Sequence, residues 1–386
     1  VVESSEDCVR PSVERELAVE DDGERRVVRA PFDPDARDRM ILGFGLGRLV
    51  AVRKALSLGL SLLEHATDRI GHYGGIYRAA REEMARRSYD VIIATGGPFV
   101  LLTYARWLSE EYGVPWVADY RDGWSTSEEI RHVGLLHRLV RGRLFREIEK
   151  RVVATASLIT AASPTYAEKL RELHPEKPVE VVLNGFRDEV VADLEPRPSE
   201  PDSFEIAYAG TIYEAQPLET FLDGYADFIE RSGCRMTRAV FYGAEFYPDQ
   251  QRRILSHRLD LAGHLRTTPR LDYPELLRRL QDAHILLLLT WKGADWLFAK
   301  IFDYLAVDRR IMVVEGDGSV IDGLIAETGA GAVASNRTEV CEALLEAYHA
   351  FKETGEVSTG ARAIDISRYG RRAQTGRLAR ALRDHL

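Results

Sequence analysis

Two carboxylates and an ammonium stand within nine residues late in the chain: Asp295, Lys300 and Asp303, in the stretch GADWLFAKIFDYLAVDRRIMVVEGDG at positions 293–318. Lysine is rare here, seven against forty-five arginines, so one placed between two aspartates asks for a reason. Asp295 falls on the loop after the apolar run HILLLLT, and Asp303 in the helix AKIFDYL that follows. The start of that helix, from Phe298 through Lys300 to Ile301, offers unpaired N–H groups and positive dipole potential to a diphosphate. Lys300 adds a full charge. A carboxylate on each side can accept hydrogen bonds from sugar hydroxyls. Ordinary charges at a helix start would account for Asp295, but not for Asp303 together with Lys300. The set reads as a grip for a sugar nucleotide.

A second constellation lies in ADYRDGW, where Asp119, Tyr120, Arg121 and Asp122 follow directly on the strand pattern VPWVADY. Residues there project from the carboxyl edge of a sheet. Paired carboxylates beside an arginine bind hydroxyls, act as a base, or lock a structure as ion pairs. Small residues close several other strand patterns: Thr95-Gly96-Gly97, Asn184-Gly185, Ala209-Gly210-Thr211 and Gly243. Glycine lets the backbone approach a ligand, and the next helix's free N–H groups favour phosphate; it serves tight turns equally well. Gly210-Thr211 is the strongest phosphate candidate, because it opens the first βα unit of the second half. GFGLG at positions 43–47 has no convincing strand before it and its third glycine comes one position early, so it is no dinucleotide loop. Asp33-Pro34-Asp35 has no strand ending at it and reads as a charged loop. The ten histidines show neither a Ser-His-Asp nor a metal-ligand pattern.

The elements that must position these groups alternate from about Asp90 onward. DVIIATGG, VPWVADYRD, SLITAAS and VEVVLNGF read as strands, separated by the helices PFVLLTYARWLSEEYG, LLHRLVRGRLFREIEKRVVATA and PTYAEKLREL. ADLEPRPSEPDS, residues 192–203, has the composition of a linker. Afterwards FEIAYAGT, MTRAVFYG, HILLLLT and RIMVVEG are strands. PLETFLDGYADFIERSG, DQQRRILSHRLDLAG, YPELLRRLQDA, AKIFDYLAVD, SVIDGLIAETG and TEVCEALLEAYHAFKETG are helices. Strands alternating with helices of this length imply parallel, doubly wound sheets. The expected organisation is an α/β first domain over residues 1–196 and a second over 197–386, with the active site in the cleft between them. The basic helix at 370–386 either caps the second domain or crosses back to the first. VVESSEDC resembles the end of a strand, which leads to the expectation that a first strand, loop and helix precede Val1.

Composition excludes several classes. A length of 386 residues with 45% hydrophobic and 29% charged side chains describes a globular protein. A net charge of −9 argues against a nucleic-acid binder, which needs a basic surface. Cys8, Cys234 and Cys341 are odd in number and lack zinc spacing, which fits a reducing cytoplasm. No run of about 20 apolar residues spans a bilayer. Met40 to Leu63, apolar with Arg48, Arg53 and Lys54, reads as an acceptor-side core helix or as an interfacial one touching the inner face of a membrane.

KIFDYLAVDRRIMVV resembles the K-x-F-E-Y-L-A-x-x-x-P-I-L signature of the retaining GT-B glycosyltransferases of family 4, and Asp295 and Asp303 take the places of that family's E-x7-E pair. DVIIATGGPF, VPWVADYRDGW, LNGF and YAGTIY match in order and spacing, so the resemblance runs over about residues 88–340. It implies two Rossmann-like domains with parallel sheets facing a central cleft, the first for the acceptor and the second for a nucleotide-diphosphate sugar. No metal or other cofactor is implied. Asp303 would bind the ribose and Asp295 the sugar hydroxyls, while Lys300 and Gly210-Thr211 hold the diphosphate. Asp122 or Asp119 would face the acceptor or the anomeric centre, with Gly96, Gly97, Arg121 and Asn184 on the acceptor side. Transfer would proceed with retention, the leaving diphosphate helping to accept the acceptor's proton. Two departures stand out. GTIYEAQPLE carries Glu214 and Gln216 where members often carry a cation after the G-T loop, and both glutamates are shortened to aspartate. Arg270 and Arg309 are candidates to compensate. The acceptor would be a glycan, a lipid-linked saccharide or a small molecule in cell-surface polysaccharide or glycoconjugate assembly. A sugar-nucleotide epimerase and a non-catalytic binding subunit are the alternatives on the same fold.

Overall fold

The computed structural model describes residues 2–4, 18–23, 25–30, 50–125, 135–194, 203–294, 296–355, 357 and 365–386. The chain forms two compact units, one within Val1–Ala162, Tyr166–Val181 and Ala381–Leu386, the other within Ser163–Thr165 and Val182–Arg380. The change between them after Val181 comes earlier than the proline-rich segment, and residues 195–202 of that segment lie outside the described residues.

The first unit opens with a strand in the segment read as a strand end, followed by two strands that the sequence did not announce. β1 (Val2–Ser4) runs parallel to β3 (Arg26–Ala30), and β2 (Ala18–Asp21) pairs antiparallel with β3. The turn between β2 and β3 is closed by the Asp21 and Asp22 carboxylates, which accept from the Gly23 and Arg25 amides. Helices α1 (Val50–Glu64) and α2 (Gly74–Arg86) follow. A doubly wound run then begins: β4 (Ile92–Gly96), α3 (Val100–Tyr112), β5 (Trp116–Tyr120), α4 (Leu135–Val153), β6 (Leu158–Ala161), α5 (Pro164–Leu173) and β7 (Val179–Val181). Its four strands are parallel and lie in sequence order. Every residue of β5 and β6 is buried, as expected of parallel strands covered on both faces.

The second unit is a six-stranded parallel sheet. After the short α6 (Asp188–Ala192) come β8 (Phe204–Ala209), α7 (Leu218–Ser232), β9 (Thr237–Tyr242), α8 (Pro248–Ser256), β10 (Leu265–Thr268), α9 (Tyr273–Asp282) and β11 (Ile285–Leu289). Then follow α10 (Lys300–Ala306), β12 (Arg310–Val314), α11 (Val320–Thr328), β13 (Gly331–Ala334), α12 (Arg337–Thr354) and α13 (Arg371–His385). The strand order is β10-β9-β8-β11-β12-β13. Alternation divides the core: Phe204, Ile206 and Tyr208 join α7 and α12 on one face, whereas Ala207 and Ala209 join α9, α10 and α11 on the other. β10 and β13 are absent from the sequence reading, because LRTT and GAVA are too short and too weakly apolar to stand out.

One helix expectation needs correction. DQQRRILSHRLDLAG is not one helix: α8 ends at Ser256, and a separate 3-10 turn covers Leu259–Leu261. Arg258 between them is extended and binds Asp223 and Asp260, which breaks the helical path. The C-terminal helix serves both units. Its residues to Arg380 belong to the second, while Ala381 packs with Val117 and Leu158 in the first. Among the described residues no helix is long and apolar enough to cross a membrane.

The contact between α7 and α12 rests on a missing side chain. A Cβ on Gly224 of α7 would lie 2.6 Å from Val340 Cβ and 2.7 Å from the Arg337 carbonyl on α12. Gly224→Ala is therefore predicted to destabilise the protein by about 1–3 kcal/mol, outweighing the roughly 1 kcal/mol that alanine contributes as a helix former. Urea denaturation measures this, and a stabilised variant would contradict the close approach.

Candidate functional site

In the second unit the candidate groups converge at the carboxyl edge of the sheet. α10 turns Ile301, Phe302, Tyr304 and Leu305 into the core, which leaves Lys300 and Asp303, one turn apart, on its remaining face. Lys300 Nζ donates to the Tyr208 hydroxyl at 2.7 Å and lies 3.9 Å from the centre of its ring. The Tyr208 proton is shared between the Thr211 carbonyl (2.8 Å) and Gln216 Oε1 (3.3 Å). Gly210 takes φ +98°, and a Cβ built there would sit 3.6 Å from Lys300 Nζ. The glycine supplies a left-handed backbone that other residues resist, and a side chain there would lie in van der Waals contact with the ammonium. Tyr304 fixes the strand end, accepting from the Ala209 amide and donating to the Leu287 carbonyl.

Burial pushes Lys300 down to about 7. Asp303 accepts from the Tyr273 hydroxyl at 2.5 Å, and burial raises its carboxyl to about 6 even though Tyr273, Arg371 and Arg187 oppose the rise. Arg187 also covers the Tyr273 ring, 4.8 Å from its centre. Asp303 is thus held in a small tyrosine–arginine cluster rather than paired with Lys300.

Several expectations change on inspection. Ile301 is fully buried and its amide donates to the Phe298 carbonyl, so it serves the turn and has nothing left for a ligand. Phe302 likewise donates to Ala299, leaving the short helix fewer free donors than expected. Gln216 is no substitute for a cation. It is a buried brace, accepting from the Tyr213 amide and donating to the Leu289 carbonyl. Arg253 completes the brace by gripping Glu219 with two bonds and the Gln216 carbonyl with another. Arg309 precedes β12 and donates to the Gln281 carbonyl, at the amino end of the strands and away from the site. Arg270 follows β10 at the carboxyl end, its Cγ 3.5 Å from where a Gly243 Cβ would stand and its guanidinium 3.7 Å from the Phe246 ring centre. Of the two arginines, Arg270 is the one in place. Asn184 belongs to the second unit. Its neighbour Gly185 packs so closely on the Tyr369 carbonyl that a Cβ would come within 2.6 Å. Asp295, the GFGLG stretch and Asp33 to Asp35 lie outside the described residues.

The first unit gathers its own set at the ends of β4 and β5. Gly96 ends β4 and Gly97 follows it, where a Cβ would lie 3.7 Å from Asp122 Oδ2. Asp122 has an exposed surface, yet its carboxyl loses enough water over this backbone to be raised above its ordinary value. Asp119 is different. It is buried and accepts from Thr95 Oγ1 (2.9 Å), Thr160 Oγ1 (2.6 Å) and Arg121 Nε (2.9 Å). These bonds tie three strands together and turn Arg121, which makes Asp119 a positioning group. The loop carrying Asp122 is clamped from α4, where the fully buried Glu149 accepts from the Tyr120 hydroxyl (2.9 Å) and the Ser125 amide (3.0 Å). Trp124 of that loop lies between Phe99 and His65, with centroids 5.2 Å from each. Burial lowers His65 to about 4, so it stacks as a neutral ring.

Comparisons with known proteins agree with this layout. Residues 8–185 match a family described as the glycosyl transferase 4-like domain. No curated protein matches the sequence significantly. Among solved structures, sucrose-phosphate synthase from Thermosynechococcus elongatus aligns with a TM-score of 0.63 at 11% identity, covering 97% of this chain and 86% of that one. Anabaena HepE in complex with UDP aligns at 0.58 and 16% identity, over 80% and 82% of the two chains. The UDP-forming trehalose-phosphate synthase of Burkholderia vietnamiensis aligns at 0.56 and 12% identity, over 100% and 95%. At these identities the structural matches establish the fold.

The two shifted groups predict opposite pH effects on stability. The folded protein holds the Lys300 proton only to about 7 against an ordinary 10.5, so this residue's burial costs stability at low pH and the cost fades as pH rises from 7 to 10.5. Asp303 keeps its proton to about 6 against an ordinary 3.8, so its contribution to stability declines between those values as pH rises. Urea midpoints across pH are expected to lose the first slope in Lys300→Met and the second in Asp303→Asn. Slopes identical to the parent's would place both groups in water.

Proposed function

We propose that this chain, whose residues 8–185 match the glycosyl transferase 4-like domain and whose fold is GT-B, is a glycosyltransferase that moves a sugar from a nucleoside-diphosphate sugar to a glycan, lipid-linked or small-molecule acceptor with retention at the anomeric carbon. The observation that carries this reading is the ammonium of Lys300 held against the Gly210-Thr211 backbone at one sheet edge. That pair binds the diphosphate, and Arg270 supplies the cation that Glu214 and Gln216 do not. Asp303, oriented by Tyr273, takes the ribose hydroxyls, and Asp295 takes those of the donor sugar. HepE, of the same fold, is seen with UDP and with UDP-glucose, which supports a nucleotide sugar as the donor. In the first unit Gly96, Gly97, Arg121 and Asp122 receive the acceptor, with Asp119 and Glu149 holding them in place.

In the reaction the bond from the anomeric carbon to the diphosphate oxygen breaks, and the acceptor oxygen bonds to that carbon on the same face. The acceptor's proton passes to the departing diphosphate. Negative charge grows on that group, and Lys300 is fixed in advance where it grows. With cations from the chain in this role the transfer runs without a metal, and its product enters cell-surface polysaccharide or glycoconjugate synthesis.

Thermal denaturation with UDP, GDP, ADP, dTDP and CMP tests the donor site, because a ligand selective for the folded state raises the melting temperature. One nucleoside diphosphate is expected to give a clear shift, unaffected by EDTA. Lys300→Ala should weaken that diphosphate about tenfold or more and its bare nucleoside hardly at all. Equal losses for both would make Lys300 structural, and no shift from any nucleotide would favour a non-catalytic role.

A further inference from the structure

The loop beyond β11 carries an aromatic cluster of which only Phe298 is packed against the core, and which the diphosphate grip does not account for. Trp296 meets Tyr213 (5.4 Å between centroids, 82° between planes), Trp291 (5.6 Å, 73°) and Phe298 (6.1 Å, 78°). Trp291 and Phe298 meet at 6.3 Å and 60°. None of these rings is covered by a parallel partner within the cluster. Tyr213 keeps 45% of its surface in water, and Trp291, Trp296 and Phe298 are half-buried. The cluster begins 5.8 Å from Lys300 Nζ, the distance to the Phe298 ring centre.

Sheet order decides which part of a donor would reach it. A diphosphate at the end of β8 has β9 and β10 on one side and β11 on the other. Asp303, the ribose carboxylate of the proposed reading, is bonded to Tyr273 just after β10, so the nucleoside extends that way. The remaining group on the diphosphate is the sugar, and its direction is toward β11 and the four rings. Aromatic faces carry negative potential and attract weakly positive C–H groups. A hexopyranose with equatorial hydroxyls presents such C–H groups on a face of its ring.

We propose that Tyr213, Trp291, Trp296 and Phe298 form the donor-sugar platform of this enzyme, which holds a hexopyranose by its C–H face. The platform stands beside the G-T loop, two residues beyond Thr211 at Tyr213. This inference rests on the donor site proposed above.

The test compares each nucleotide with its sugar conjugate: UDP with UDP-glucose, GDP with GDP-mannose and ADP with ADP-glucose, by calorimetry and tryptophan fluorescence. For the pair that binds, Trp296→Ala and Tyr213→Ala should each weaken the sugar nucleotide about tenfold and the bare diphosphate less than twofold. Trp296→Phe should restore most of the loss, and the conjugate should alter the emission more than the bare nucleotide does. Equal losses for both ligands, or no loss for either, overturn the platform while leaving the donor site standing. A parent protein that binds none of the six ligands overturns both.

Discussion

The second unit is organised around a lysine with too little water. Lys300 reaches from the first turn of α10 to the hydroxyl and ring face of Tyr208 on β8, and its hydrogen bond there uses one of the three donors of an ammonium. A charge so placed is costly unless something completes its shell. Much of the surrounding detail keeps that gap in one place. Tyr304 locks the end of β8, Gln216 and Arg253 brace the loop beyond it, and Gly210 withholds the side chain that would fill the space. For the diphosphate of the proposed donor, the charge would already be oriented, and little ordering would remain to be done on binding.

The first unit solves a related problem with a carboxylate. Glu149 is the anchor of its loop from Arg121 to Ser125, fully buried and bonded to both ends. Asp119 ties the neighbouring strands through two threonines and an arginine. In each unit the group that would touch a ligand, Lys300 or Asp122, is aimed by buried groups that are more heavily bonded.

Much of this was legible from residue patterns. The strands buried on both faces, such as Ile285 to Leu289, appear as unbroken apolar runs, and the i, i+1, i+4 spacing of Ile301, Phe302 and Leu305 leaves Lys300 and Asp303 together on the other face. What escaped was whatever depends on strand direction or on distant partners. With LRTT unrecognised as β10, nothing set Arg270 at a carboxyl end, and it looked equivalent to Arg309 at the opposite end of the sheet. Tyr273 stands thirty residues before Asp303, and no spacing rule pairs them. Asp119 and Asp122 look alike in ADYRD, but Asp119 lies inside a strand covered on both faces and bonded to threonines of both neighbours, whereas Asp122 lies exposed in the loop beyond it. Gln216, one residue type among several possible in a polar loop, gave no sign of being a core brace.

The path of α13 has a consequence for how the protein is made. Val117 and Leu158, in the middle of the first unit, receive Ala381 as a packing partner from a segment translated long after them. Domains tend to fold in order of synthesis. Here the first to emerge keeps part of its sheet uncovered while the whole second unit is being made. During that interval an apolar surface is available to chaperones or to a neighbouring nascent chain. The last turns of the C-terminal helix then act as a closing stitch, so that a chain broken off within the second unit is left with an exposed mark of its incompleteness.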